Sequence, residues 1–152
     1  MTWRVEPGRL AGMADTLTPL QRSAAMRAVK SRNTSPELRV RRSAHALGLR
    51  YRLHGKDLPG KPDLVFAARR LAVFVHGCFW HGHTCVRGAR MPATNAAYWS
   101  AKIARNVARD AAATLALSGA GWRPVIIWEC ETREPAALAR IIATRLADPP
   151  PN

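Results

Sequence analysis

A chain of 152 residues with 47% hydrophobic content can build one hydrophobic core and is too apolar for a disordered basic tail. Its 24 Lys+Arg against 10 Asp+Glu give a formal charge of +14, and a globule this cationic is suited to a polyanion, with nucleic acid the first candidate. No stretch of 18 apolar residues and no apolar leader occur, and three cysteines cannot all pair. These features predict a reducing, cytoplasmic setting with no membrane association.

The elements follow in chain order. Residues 1–15 lack periodicity and are expected to form a mobile extension, with both Met1 and Met13 open as the start. Thr18-Pro-Leu-Gln21 opens a helix running to about Lys30, with Thr18 as cap, Pro19 at the first helical position and Gln21 closing a capping box. Ser35-Pro36-Glu37 opens a second helix, which Gly48 ends. Arg50–Leu53 alternates like a strand, and residues 58–62 form a turn-rich loop. Asp63–Phe66 reads as a short strand, Ala68–Arg70 as a turn and Leu71–Val75 as a buried strand. After a loop over 86–95, a helix runs from Thr94 or Asn95 to Leu117. Its expected core face is Trp99, Ile103, Val107, Ala111 and Leu115, with Lys102, Arg105, Asn106 and Arg109 off it. Pro124–Trp128 is a strand, Pro135–Leu146 a helix and 148–152 a disordered tail. The order α-α-β-β-β-α-β-α predicts one α/β domain over 16–147, a mixed sheet flanked by helices.

The charge excess is local. Residues 22–61 hold eleven basic and two acidic side chains, whereas residues 111–152 are balanced at four each. Arg22, Arg27, Lys30, Arg32, Arg39, Arg41 and Arg42 read either as a solvated helical face or as a set of phosphate contacts.

The chemistry concentrates between His76 and Cys85. Cys78, His83 and Cys85, joined by the distant Cys130, make a Cys3His set suited to a closed tetrahedral zinc site; the alternative is that the cysteines are buried apolar fillers. His76 and His81 remain for proton transfer or leaving-group stabilisation, or as structural histidines. Asp63, at the mouth of a strand, could hold a hard cation such as magnesium or cap a turn. Asp110 could orient an imidazole, or pair with Asn106 or Arg109. Phe79, Trp80, Tyr98 and Trp99 are core candidates by default. Phe79-Trp80 between ligands is harder to bury whole, and aromatic wedges can enter a weakened base stack.

Leu58-Pro-Gly-Lys-Pro-Asp63, His76-Gly-Cys-Phe-Trp-His81, Pro92-Ala-Thr94, Lys102-Ile-Ala-Arg-Asn-Val107, Arg109-Asp110 and Trp128-Glu-Cys130 together resemble the very short patch repair (Vsr) endonuclease family over about residues 13–135. The resemblance implies a restriction-endonuclease-like core with a structural zinc site. It also implies an enzyme that nicks one DNA strand 5′ to the thymine of a T·G mismatch left by 5-methylcytosine deamination. It assigns Asp63 and the backbone carbonyl of Val75 to magnesium. His81 would handle the nucleophilic water, Asp110 would orient it, His76 would lie near the scissile phosphate, and Glu37 would support the site. Cys78, His83, Cys85 and Cys130 would hold zinc, and Phe79, Trp80 and Trp99 would intercalate beside the mismatch. Gly82 departs from a stretch often richer in histidine. The implied partner is mismatched double-stranded DNA, with other mismatch-repair proteins as candidates, and the implied state is a monomer near the bacterial nucleoid. Two alternatives stay open: a zinc-stabilised DNA-binding protein without catalysis, and a related nuclease, such as a restriction enzyme, with another target.

Overall fold

The computed structural model describes residues 16–28 and 32–147. The extension over 1–15, the choice between Met1 and Met13, the first helix's end at Lys30 and the tail over 148–152 lie outside those residues.

Two helices come first. Helix α1 spans Pro19–Ala28. Its capping box is reciprocal, with the Gln21 amide donating to Thr18 Oγ1 at 3.2 Å and the Thr18 amide to Gln21 Oε1 at 3.0 Å. Helix α2 spans Ser35–Ala46 and is capped by Thr34, whose side chain accepts from the Glu37 amide.

The sheet has four strands in the order β1 (Arg52–Leu53), β2 (Leu64–Phe66), β3 (Leu71–His76), β4 (Arg123–Trp128). The first two pairings are antiparallel and β3–β4 is parallel. A parallel pair needs a long crossover, and α3 (Ala96–Gly119) lies in the connection that supplies it. Helix α4 (Pro135–Arg145) closes the chain. The strand expected over Arg50–Leu53 contracts to two residues, because β2 offers only Leu64 and Val65 as partners.

Strand side chains alternate between faces, and β3 shows what each face meets. Leu71 and Val73 pack with Val40 and Ala44 of α2 and with Leu138, Ile142 and Leu146 beside α4. Ala72 and Phe74 pack with Leu117 of α3. His76 continues the second series, so it falls on the α3 side at the end of the strand. Its ring lies 5.7 Å from that of Phe74.

The four-residue stripe expected for α3 is corrected by the structure. Trp99 is buried and Ile103 partly so, but Val107 is 44% and Leu115 76% exposed, and Ala111 is exposed as well. A step of four residues overshoots a helical turn by about 40°, so four such steps carry the stripe about 160° around the helix. The inward line is Trp99, Ile103, Asn106, Asp110, Ala113 and Leu117, each buried or partly buried. Two polar residues, Asn106 and Asp110, therefore face the sheet side.

The basic arm divides in the same way. Arg32, Arg39 and Arg42 are exposed, while Lys30 lies outside the described residues. Arg22 is buried, its guanidinium 4.9 Å from the Tyr98 ring centroid and donating to the Leu17 carbonyl. Arg41 is also largely enclosed, with 12% of its side chain exposed. For these two, neither a solvated face nor a phosphate contact describes the structure. Among the described residues, no helix is long and apolar enough to cross a membrane.

Candidate active site and metal centre

The parallel register of β3 and β4 builds the sulfur-rich group. His76 sits opposite Trp128, so the segments leaving the two strands run side by side. Cys78 follows two residues after His76, and Cys130 two residues after Trp128, within a 3₁₀ turn over Glu129–Thr132. The Cys130 amide donates to Cys78 Sγ at 3.4 Å. The loop then folds back, with the His83 amide on the Cys78 carbonyl at 2.9 Å, and brings His83 and Cys85 to the same place. One donor atom from each of Cys78, His83, Cys85 and Cys130 lies within 4.8 Å of the others.

Four N/S donors at this spacing suit a tetrahedral cation, for which Zn–S bonds of about 2.3 Å imply edges near 3.8 Å. Cys78 is fully buried, but Cys85 and Cys130 are only half-buried, and all three are free thiols. Their convergence on a histidine favours a metal-binding group over apolar filling. Burial, with neighbouring cysteines, pushes the Cys78 thiol up to about 12. Burial also acts upward on Cys85, but the Gly88 amide, His83 and Cys78 bring it down to about 7. A bound cation would supply the charge that this partly neutral cluster lacks. Packing holds the loop in turn. The His83 ring stacks on Trp128 at 4.2 Å, and a Cβ at Gly88 would lie 2.2 Å from the His83 carbonyl oxygen. Gly82 adopts φ +66° and lies close to Ile103 and Val107. A glycine there lets the loop rest on α3, which accounts for the departure from histidine.

The imidazoles form a second group. The His76 and His81 rings are parallel, 3.8 Å apart at 6°. His81 Nδ1 lies 2.6 Å from Asp110 Oδ2, and His76 Nε2 lies 4.0 Å from Asp110 Oδ1. Asn106 donates to the Trp80 carbonyl at 2.9 Å. Two residues one turn apart on α3 thus hold both the His81 ring and the backbone just before it. Arg109, an alternative partner for Asp110, instead donates to Asn106. Burial, and then the neighbouring His81, pushes His76 down to about 4 against the pull of Asp110, so this ring is neutral near pH 7. Its Nδ1 is buried without a partner among the described residues.

The acids approach from the other side of the strand end. The Asp63 amide donates to the Val73 carbonyl at 2.9 Å, and Asp63 Oδ2 accepts the Val75 amide at 2.7 Å. Asp63 therefore bonds across to β3, which a turn cap would not do. Burial, together with the Glu37 carboxyl, raises Asp63 to about 8 despite the Val75 amide and Arg41. Glu37 is itself buried, and its Oε2 accepts the Asn33 amide at 2.7 Å and Arg41 at 3.1 Å. Asp63 meets the backbone of Val75, and the next residue, His76, stacks on His81. The acid pair and the imidazole pair are thus anchored through successive residues, Val75 and His76, at the end of β3. The tight group of possible metal donors here is His76, His81 and Asp110, and Asp63 stands outside it.

Phe79, Trp80, Trp99 and Tyr98 contact one another edge to face, with ring centroids 5.0–5.9 Å apart. Phe79 and Trp99 are buried and Trp80 partly so, packed with Met26 of α1 and Ile103 of α3. The expected resistance to burial thus applies to Trp80 and not to Phe79. Sequence reading missed Asn106 and Arg41 as site neighbours. Their four-residue spacings from Asp110 and Glu37 were the available signal.

The family model for DNA mismatch endonuclease Vsr matches residues 14–87. The chain is 51% identical over 126 residues to the type II nicking enzyme V.XorIIP of Xanthomonas oryzae pv. oryzae, spanning 83% of this chain and 92% of that protein. It is 39% identical over 124 residues to the type II nicking enzyme V.NmeAIP of Neisseria meningitidis, spanning 82% and 88%. It is 41% identical over 121 residues to the DNA mismatch endonuclease Vsr of Escherichia coli, spanning 80% and 77%. Similarity of this depth, over most of the chain and of each relative, places the protein in the Vsr endonuclease family, as a DNA endonuclease.

Proposed function

We propose that this endonuclease nicks one strand of double-stranded DNA on the 5′ side of the thymine in a T·G mismatch arising from 5-methylcytosine deamination. The observation that carries the reading is that Asp63, bonded to the Val75 amide, and His76, stacked on the Asp110-held His81, are anchored through successive residues at the end of β3.

The site's donors fit a hard divalent cation on its acidic side. Asp63 and the Val75 carbonyl would hold magnesium, with Glu37 in support, and the cation would stabilise charge developing on the phosphate. Asp110 accepts a hydrogen bond from Nδ1–H of His81, the tautomer that leaves Nε2 as a proton acceptor toward water. His76, neutral and stacked, fixes the plane of that ring, and would lie near the scissile phosphate. Zinc on Cys78, His83, Cys85 and Cys130 would hold the His81 loop rigid from behind. The intercalating set that the resemblance implies narrows to the partly exposed Trp80 as the wedge, because Phe79 and Trp99 are buried and pack behind it.

The β-β-β-α-β run supports a restriction-endonuclease-like core, in one domain over 16–147 that acts as a monomer. We place the enzyme in the bacterial cytoplasm, at the nucleoid, with other mismatch-repair proteins as candidate partners. A second reading, a nicking enzyme with another target, is favoured by the names of two close relatives. A duplex labelled on each strand separately decides between them. The proposal expects one magnesium-dependent cut, 5′ to the mispaired thymine, and none in the matched duplex. Equal cutting of matched DNA supports the second reading instead.

A further inference from the structure

We infer that Arg41 is a positioning residue for the acidic half of the site, setting its affinity for a divalent cation by fixing what stands on either side of Asp63. This rests on the reading of Asp63 as a cation-holding carboxylate.

Arg41 lies one turn after Glu37 on α2, and the two side chains pair at 3.1 Å with only 12% and 3% of their surfaces exposed. Its Nη1 donates to Asn33 Oδ1 at 2.9 Å, and the Asn33 amide donates to the same Glu37 Oε2 that Arg41 holds. Its Nη2 lies 3.3 Å from His54 Nε2, and the His54 amide donates to the Asp63 carbonyl at 3.0 Å. One guanidinium therefore ties together α2, the turn before it and the connection between β1 and β2, of which α2 brings Glu37 to Asp63 and the connection brings His54 to its carbonyl. Asn33 and His54, the two residues it clamps, hold left-handed backbone at φ 54° and 53°. Positive φ is uncommon outside glycine, though asparagine and histidine tolerate it better than most residues, and here the Arg41 contacts hold both in place.

The chemistry requires the fork. Two neighbouring buried carboxyls repel when ionised and would turn apart. Arg41 fixes one Glu37 oxygen, so the other stays available beside Asp63. Arginine presents five donors in a plane and can reach three acceptors at once, whereas a lysine ammonium is a point charge on a flexible stem. Enclosed in this way, Arg41 is not poised to meet DNA phosphates.

The test uses the full-length, zinc-loaded chain with Mn2+ alone as probe, and free Mn2+ is read by electron paramagnetic resonance. Arg41→Met is expected to weaken Mn2+ binding about tenfold or more, the range seen when groups behind metal ligands are removed. Arg41→Lys should recover part of the loss. In nicking assays the half-saturating magnesium concentration should rise by the same factor, while the KM for DNA stays unchanged. Mn2+ affinities within about twofold of the parent for both variants would overturn the inference. If Arg41→Met does not fold, Arg41→Lys decides alone, with unchanged affinity again the overturning result. An Asp63→Asn control with undiminished Mn2+ binding would instead overturn the underlying reading of the site.

Discussion

Asp63→Asn should abolish nicking and at the same time make the magnesium-free protein more stable. In the folded chain Asp63 is raised from 3.8 to about 8, first by burial and then by Glu37. At pH 7 the folded protein therefore keeps a proton that the unfolded chain has lost. This uptake spans about three pH units at about 1.4 kcal/mol each, and allowing for relaxation it costs about 2–4 kcal/mol. Stability tied to Asp63 is complete below about pH 4 and is lost as the pH rises through about 8. Asparagine keeps an acceptor for the Val75 amide and offers Glu37 a donor in place of a second acid. The melting temperature of Asp63→Asn should exceed that of the parent by about 5–15 °C at pH 8, with the gap closing toward pH 4. Magnesium should raise the parent's melting temperature and leave the variant's unchanged. Thermal melts at four pH values, with and without magnesium and with zinc retained, supply the check. A variant less stable than the parent at pH 8, or a gap that does not vary with pH, would refute the reasoning.

Three further outcomes follow from the geometry. Cys130→Ser removes one of four converging donors, so zinc content by atomic absorption should fall from about one per chain toward zero. Its melting temperature should fall with it, and an unchanged melt would remove Cys130 from the ligand set. Asp110→Asn deprives His81 of the carboxylate that fixes its tautomer. Single-turnover nicking should drop about 100-fold or more while duplex affinity holds, and a parent-like rate would exclude the orienting role. Leu117→Ala should cost about 2–5 kcal/mol in denaturant unfolding and Leu115→Ala less than about 0.5, because only the former is buried; the reverse order would restore the four-residue stripe.

The sequence made the element order legible, because caps and turn residues mark where helices and strands begin. The capping box at Thr18 and Gln21 forms as its spacing indicates. The Cys3His group was legible too, since three of its members sit on one short loop. Periodicity failed on α3. An alanine-rich helix gives little contrast between faces, and a stripe of fours drifts away from the true inward line. The same error hid Asn106, whose bond to the Trp80 carbonyl depends on that line. Arg41 was hidden for another reason. One arginine among seven basic residues between 22 and 42 carries no local mark of burial, and its partners lie in three different segments. The enclosure of Phe79 depended on Trp99 and on Met26, elements remote from it in sequence.

The most direct measurement is the position of Mn2+, located by anomalous scattering in crystals of the protein bound to a T·G duplex. A manganese peak within ligand distance of an Asp63 oxygen and the Val75 carbonyl, with His81 facing the adjoining phosphate, is the predicted result. A peak held by His76, His81 and Asp110 with Asp63 remote from the DNA would contradict it.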